Sequence, residues 1–196
     1  MSRLVSNNTD EKSRKLINPA PENAVVGQLS EMLALKCGYT PAEAIQIRIA
    51  AVLHDCGKSG IPKNILHKPG KLTAQEYEIM KKHTKIGFEM LSGLHGAFGE
   101  MAKNIALNHH EFWNGKGYWG VPSYTLPLYV SIVGICDVLT ALLYNRVYKP
   151  SWPPNEALAY IKSQAGTQFC PELADTFISL VQNDKRVPAI FAGLIE

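Results

Sequence analysis

Between Leu126 and Tyr144 the chain runs through its most apolar stretch, and within it the segment SIVGICDVLTALL carries one carboxylate, Asp137. Ile132, Ile135, Leu139 and Leu142 recur there at spacings of three and four, the helical period. A helix this apolar is buried around most of its circumference, so other elements must surround it. An isolated carboxylate in such surroundings is costly unless it is paired or holds a metal ion. The segment therefore asks for a core that also supplies a cation at Asp137.

Strand signals are sparse elsewhere, and apolar residues again recur at three and four. We expect an all-α fold, a single helical bundle over 19–196 with a metal site in its core, preceded by a flexible polar leader over 1–18. A first helix is predicted from about Glu22 to Lys36, with Val25, Val26, Leu29 and Leu33 inward and Gly38 as its stop. Thr40-Pro41-Ala42-Glu43 is a capping box that opens a second helix, expected to carry Ile45, Ile49, Val52 and Leu53 inward. A turn and short helix follow over Gly60 to Leu66. A second capping box, Thr73 to Glu76, opens a helix that sets Tyr77, Met80, His83 and Gly87 on one face. Another from about Phe98 presents Met101, Ile105 and His109, and ends near His110 and Glu111. Asn114 to Gly120 is a glycine-rich loop. The last predicted helices run from about Asn155 to Gln164 and from Pro171 to Asn183.

Bulk properties narrow the function classes. The chain has 196 residues, 46% of them hydrophobic and 19% charged, as in a soluble globular protein. No apolar run approaches the roughly 20 residues of a membrane span, and the first residues form no signal-peptide core, so membrane insertion is not expected and a cytoplasmic location is. A net charge of +3 without a basic run gives little support to a nucleic-acid polymer as partner. Cys37, Cys56, Cys136 and Cys170 lie far apart and form no CxxC pair, which argues against a zinc knuckle or a disulfide scaffold.

The stretch AVLHDCGKSGIP ends an apolar run in His54 and Asp55, then turns through Gly57 and Gly60 around Lys58. One explanation is a helix C-terminus, with His54 meeting unsatisfied carbonyls and Gly57 as the stop. The other is a pair of metal ligands, with Lys58 close by for an anionic substrate. His83, His109 and His110 also fall on inward faces or helix ends, whereas His67 and His95 sit in polar loops. His109 and His110 cannot both face one direction on a regular helix, so they suit two different metals or a helix end where the chain turns. A mixture of imidazole and carboxylate suits iron, manganese or zinc rather than calcium or magnesium. More than five candidate ligands exceed the needs of one tetrahedral zinc, which favours two ions. Two ions about 3.5 to 4 Å apart clamp the attacking and leaving oxygens of an in-line displacement and lower the pKa of a water. That is the chemistry of phosphoester hydrolysis.

Taken in order, HDCGKSGIP, ILHKPGKL, KKHTKIGFEML, HHEFWNGKGYWG and VGICDVLTALLYNRVYK resemble the HD superfamily of metal-dependent phosphohydrolases, specifically its HD-GYP branch of cyclic di-GMP phosphodiesterases, from about Glu22 to Val181. The resemblance implies that His54, Asp55, His83, His109, His110 and Asp137 ligate two or three divalent ions, iron or manganese foremost, with Asp55 also in the catalytic set. It implies that Lys58 contacts a phosphate or the attacking water, that Arg146 and Lys149 hold substrate phosphates, and that Tyr118 stacks on a base or orders its loop. Three departures stand beside these matches. Glu22 falls where the family has a further histidine ligand, either as a replacement ligand or as an acid favoured by its helix's first turn. Thr140 replaces an aspartate one helical turn after Asp137. The motif reads Gly117-Tyr118-Trp119 in place of GYP, with Asn114 where an aspartate precedes it. Three functions follow as expectations, the first two being hydrolysis of cyclic di-GMP to pGpG and onward to GMP, or a weakly catalytic module that binds the nucleotide or docks a GGDEF-type synthase. A phosphohydrolase acting on another nucleotide is the third.

Overall fold

Residues 20–144 and 151–192 are described by the structure, a computed structural model. Their regular structure is helical, apart from one isolated bridge between Ala165 and Phe169. Helices α1 (Pro21–Lys36) and α2 (Pro41–Val52) lead into a 3₁₀ turn, Cys56–Gly60. Then come α3 (Lys63–Leu66), α4 (Ala74–Lys81), α5 (His83–Met90) and α6 (Gly96–Asn108). A second 3₁₀ turn at Ser123–Thr125 precedes α7 (Leu128–Leu143), α8 (Pro154–Ser163), α9 (Pro171–Asn183) and α10 (Val187–Ala192).

Local chemistry sets most helix starts. Thr40 accepts from the Glu43 amide, and the Glu43 carboxylate accepts from the Thr40 amide at 2.8 Å. Thr73 and Glu76 repeat the exchange, with Thr73 N to Glu76 Oε2 at 2.7 Å. Proline opens α1, α2, α8 and α9, where its missing amide hydrogen costs nothing.

Helix α7 is the axis of the packing. Ile132, Val133, Ile135, Cys136 and Leu139 are fully buried on it, against Val26, Leu29 and Leu33 of α1, Ala102, Ile105 and Ala106 of α6, and Ile161 of α8. Leu142, expected inside, is only partly buried near the helix end.

Two further expectations are corrected. Ile45 and Ile49 do not face the core: they are 48% and 49% exposed, and the buried stripe of α2 is Ala44, Ile47, Ala50 and Ala51. Both stripes have helical spacing, and the small residues win because they let α2 lie close along α1. The segment after Thr73 is two helices rather than one. Its hydrogen bonding breaks at Lys82, so that Tyr77 on α4 is 46% exposed while His83 and Gly87 on α5 are buried. Helix α10, past the last predicted element, packs against α1.

The register of α2 gives a direct test. Ile47→Ala should destabilise by about 2 to 5 kcal/mol, as buried large-to-small changes do, and Ile49→Ala by no more than about 0.5 kcal/mol, as at a surface position. Urea denaturation of both variants measures the difference, and equal losses would show the stripe to be misassigned.

Candidate metal centre

Helix α2 ends at Val52, and the chain turns before the site. His54, fully buried, and Asp55 lie in that turn, whose amides bond to the last carbonyls of α2. The 3₁₀ turn after them packs onto α5 at Gly57, where an added Cβ would fall 1.9 Å from the His83 carbonyl oxygen. Only glycine permits this approach, which brings Asp55 Oδ1 to 3.3 Å from His83 Nε2.

His109 and His110 leave the end of α6. His109 is the residue after the last helical turn, and their rings lie 4.1 Å apart at 45°. At a helix end the two need not diverge as they would inside one, and both reach the same cluster. Helix α7 meets them from the other side. A Cβ on Gly134 would fall 2.7 Å from the His109 carbonyl oxygen. That approach carries Asp137, about one turn further on, to 3.6 Å from His54 Nε2.

The ligand atoms of Asp55, His83, His109 and His110 all lie within 4.8 Å of one another, as do those of His54, His109 and Asp137. Asp55 Oδ1 faces His83 and His109, at 3.3 and 3.8 Å, while Oδ2 faces His54 at 3.2 Å and forms an ion pair with Lys58. Three imidazoles share one orientation. Nδ1 of His54 lies 2.6 Å from the Ala51 carbonyl, Nδ1 of His83 2.8 Å from Met80, and Nδ1 of His109 3.0 Å from Ile105. A carbonyl only accepts, so Nδ1 carries a proton in each ring and Nε2 is the nitrogen turned toward the cluster.

Two atoms at the centre, His54 Nε2 and Asp55 Oδ1, are buried without a hydrogen-bond partner among the described residues. Charged neighbours are close, with His54 Nε2 at 3.2 Å from Asp55 Oδ2 and Asp55 Oδ1 at 3.3 Å from His83 Nε2, but none of these approaches is a hydrogen bond. Such an orphaned set is destabilising on its own and fits divalent ions that take mixed nitrogen and oxygen ligands.

The protonation states agree. Burial alone would raise the carboxyl of Asp55, but His54 and Lys58 hold it well below the usual range; burial opposes His54 at Asp137 in the same way, and His54 again prevails. Burial is the main cause that lowers His83, His109 and His110, the last to about 4, so these three are neutral and ready to ligate. His54 is the exception. Burial works against its imidazolium, yet Asp55 and then Asp137 push its pKa up to about 10.

Of the other sequence candidates, Lys58 is at the cluster through Asp55. Tyr118 lies over His110 with ring centroids 4.4 Å apart and meets Tyr77 edge-on at 5.8 Å. Burial pushes its phenol far above the ordinary value, so it remains an O–H. Glu22, partly exposed in the first turn of α1, is in neither group of ligand atoms. Arg146 and Lys149 lie outside the described residues. Thr140 is buried and donates to the Cys136 carbonyl at 2.8 Å, so it serves its own helix.

Sequence reasoning overlooked Glu111. Its carboxylate accepts the Trp119 amide at 2.6 Å and the Val121 amide at 2.9 Å, and so ties down the glycine-rich loop. The available signal was an acid directly after two histidines and directly before the aromatic Phe112.

A metal ion and the His54 proton compete for one lone pair. Binding at neutral pH should therefore expel about one proton, and affinity should rise about tenfold per pH unit for that proton up to its pKa near 10. Calorimetry of manganese binding in buffers of different ionisation enthalpy counts the proton; a heat independent of buffer would contradict the assignment.

Comparison with known proteins agrees with this geometry. A family model described as HD domain matches residues 4–173. The cyclic di-GMP phosphodiesterase response regulator RpfG of Xanthomonas campestris pv. campestris is 41% identical over 154 residues, 78% of this chain and 41% of that protein. The 3′3′-cGAMP-specific phosphodiesterase 2 of Vibrio cholerae is 40% identical over 149 residues, 76% of this chain and 28% of that protein. The chain thus spans less than half the length of either relative. Among solved structures, Bd1817, an HDG"Y"P protein from Bdellovibrio bacteriovorus, shares the fold with a TM-score of 0.67 at 18% identity, over 90% of this chain and 58% of that one. A polar cluster on a helical scaffold and a family match over most of the sequence agree: the chain belongs to the HD domain family.

Proposed function

We propose that this chain is a metal-dependent phosphodiesterase of the HD-GYP branch that opens cyclic di-GMP to linear pGpG and can continue to GMP. One observation carries the proposal: ionised Asp55 turns Oδ1 toward His83 and His109 and Oδ2 toward His54, an arrangement in which one carboxylate could serve two ions. We assign His54, Asp55, His83, His109, His110 and Asp137 as the ligands and iron or manganese as the metal. Glu22 is left out of the set because its carboxylate is in neither ligand group.

Divalent ions held there supply Lewis acidity toward phosphoryl oxygens and make a water acidic enough to attack near neutral pH. The chain's own residues bind and orient. Lys58, paired with Asp55 and 38% exposed, presents an ammonium beside the ligands where a substrate phosphate must lie. Tyr118 offers a neutral aromatic face at the same place, suited to a purine base. Arg146 and Lys149 are proposed to hold the phosphates through charge-assisted hydrogen bonds. Hydrolysis adds one water across a P–O3′ bond of the ring and leaves a 5′-phosphorylated linear dinucleotide.

The names of the relatives support a cyclic dinucleotide and leave two candidates, since one relative is named for cyclic di-GMP and another for 3′3′-cGAMP. Cyclic di-GMP is our assignment. A second reading, a module that binds the nucleotide or docks a GGDEF-type synthase without turnover, is favoured by one feature, the uncharged Thr140 where the branch has an acid. A cytoplasmic setting fits both: Cys37, Cys56, Cys136 and Cys170 are free thiols, and no helix among the described residues is long and apolar enough to cross a membrane.

The manganese-loaded protein should convert cyclic di-GMP to pGpG by chromatographic assay, and should do so faster than 3′3′-cGAMP. Binding without product would sink the hydrolase in favour of the binding module. Asp137→Ala should lose metal by elemental analysis, whereas Arg146→Ala should keep its metal and bind the nucleotide about tenfold more weakly, as loss of a charge-assisted bond implies. A full metal complement in Asp137→Ala would refute the ligand set.

A further inference from the structure

We propose that Trp119 is a positioning residue: its indole latches the glycine-rich loop to α5 beside His83 and thereby sets Tyr118 over His110. The proposal rests on the hydrolase reading only for its kinetic arm. The loop that carries Tyr118 includes Gly115, Gly117 and Gly120, and a segment so rich in glycine has little stiffness of its own. Where Tyr118 sits is decided by the points at which the loop is held.

Glu111 holds the backbone through the amides of Trp119 and Val121, and the Tyr118 amide itself donates to the His110 carbonyl at 3.4 Å. Those bonds fix the loop to the end of α6 and say nothing of its distance from α5. The side chain of Trp119 supplies that tie. Its Nε1–H donates to Thr84 Oγ1 at 3.0 Å, and Thr84, fully buried, donates its own hydroxyl to the Lys81 carbonyl at 3.0 Å. With its hydrogen committed there, the Thr84 oxygen turns a lone pair toward the indole. The Lys85 ammonium stands 3.8 Å from the centre of the Trp119 ring system and that of Lys81 5.2 Å, both within cation–π range.

Lys81, Thr84 and Lys85 bracket His83 in sequence, so the latch grips the same turn of chain that presents a metal ligand. Tyr118, the residue before Trp119, is left with its ring 4.4 Å from His110 and 6.1 Å from His83. Where GYP-type loops carry a proline after the tyrosine, this chain replaces a fixed backbone dihedral with a docked side chain. Loss of the latch should leave the ligands in place and free the tyrosine.

The test uses Trp119→Phe, which keeps an aromatic face and removes the donor, together with Thr84→Val, Thr84→Ser and the double variant Trp119→Phe/Thr84→Val. Without any substrate, amide exchange by mass spectrometry should quicken about tenfold over residues 115–121 in Trp119→Phe and Thr84→Val, the scale of one lost hydrogen bond. Thr84→Ser should restore the wild-type rate. With cyclic di-GMP, KM should rise about five- to tenfold while kcat changes less than about twofold, with metal content unchanged, as loss of uniform binding requires. The double variant should be no worse than either single. Unchanged loop exchange, or single effects that add in the double variant, would overturn the latch. Faster exchange with unaltered KM would overturn its role in placing Tyr118. A wild-type protein that consumes no cyclic di-GMP would refute the hydrolase reading, and the exchange measurements would still decide the latch.

Discussion

Asp55 is the group on which the site depends, because it is an ionised carboxylate with a side chain only 9% exposed. A buried carboxylate is strongly destabilising unless its oxygens are compensated. Here the compensation comes from every side: His54 and Lys58 at one oxygen, His83 and His109 at the other. No two of these partners except His54 and Lys58 come from the same segment. The fold must therefore bring the turn after α2, the start of α5 and the end of α6 to one point before the acid is tolerable. Even then Asp55 Oδ1 lacks a hydrogen bond among the described residues. The unmet demand is what a metal ion satisfies, and metal binding and folding share that free energy.

The helices serve this point through their ends. His54 and Asp55 follow α2, His83 begins α5, and His109 and His110 follow α6; Asp137 alone projects from a helix interior. Ends suit the task because a carbonyl of the last turn can accept from the imidazole that follows it as well as from a backbone amide, as His54 N to Ala51 O at 3.2 Å and His109 N to Ile105 O at 3.0 Å show. Ala51 gives its carbonyl to Nδ1 of His54, and Ile105 gives its own to Nδ1 of His109. These Nδ1 bonds fix the two imidazoles with Nε2 facing inward. The two explanations of AVLHDCGKSGIP are thus compatible: His54 does meet a terminal carbonyl, and by doing so it is oriented as a ligand.

What the sequence made legible was local or compositional. The capping boxes at Thr40 and Thr73 close within four residues, so their residue types suffice to place α2 and α4. The six clustered residues were legible because imidazoles and acids at inward positions of apolar helices have few other uses. Distances were not. Ile45 and Ile49 misled because two stripes shared the helical period, and the choice between them lay in how closely α1 could approach. The break at Lys82 was hidden because neither glycine nor proline marks it. Glu111 escaped notice because it acts on amides eight and ten residues away, a contact that exists only once the loop has closed.

The substitutions at Thr140 and Trp119 bear on different parts of the chemistry. Thr140 turns its hydroxyl into α7, so the position adds no charge to the cluster, and Asp55 and Asp137 are the carboxylates of the two ligand groups. Lys58 then has Asp55 as its partner, and under the proposed hydrolase reading a phosphate arriving beside Asp55 would meet an ammonium with no further acid at residue 140 to compete for it. Trp119 makes its hydrogen bonds and cation–π contacts with Thr84, Lys81, Lys85 and Glu111. On that reading the first change alters the electrostatics that a phosphate would encounter, and the second how firmly the aromatic face of Tyr118 is held. Neither disturbs the donor atoms that converge on the centre. On the proposed reading, departures from the GYP pattern bear on nucleotide binding, whereas the groups able to hold metal come from the helix ends and from Asp137 within α7.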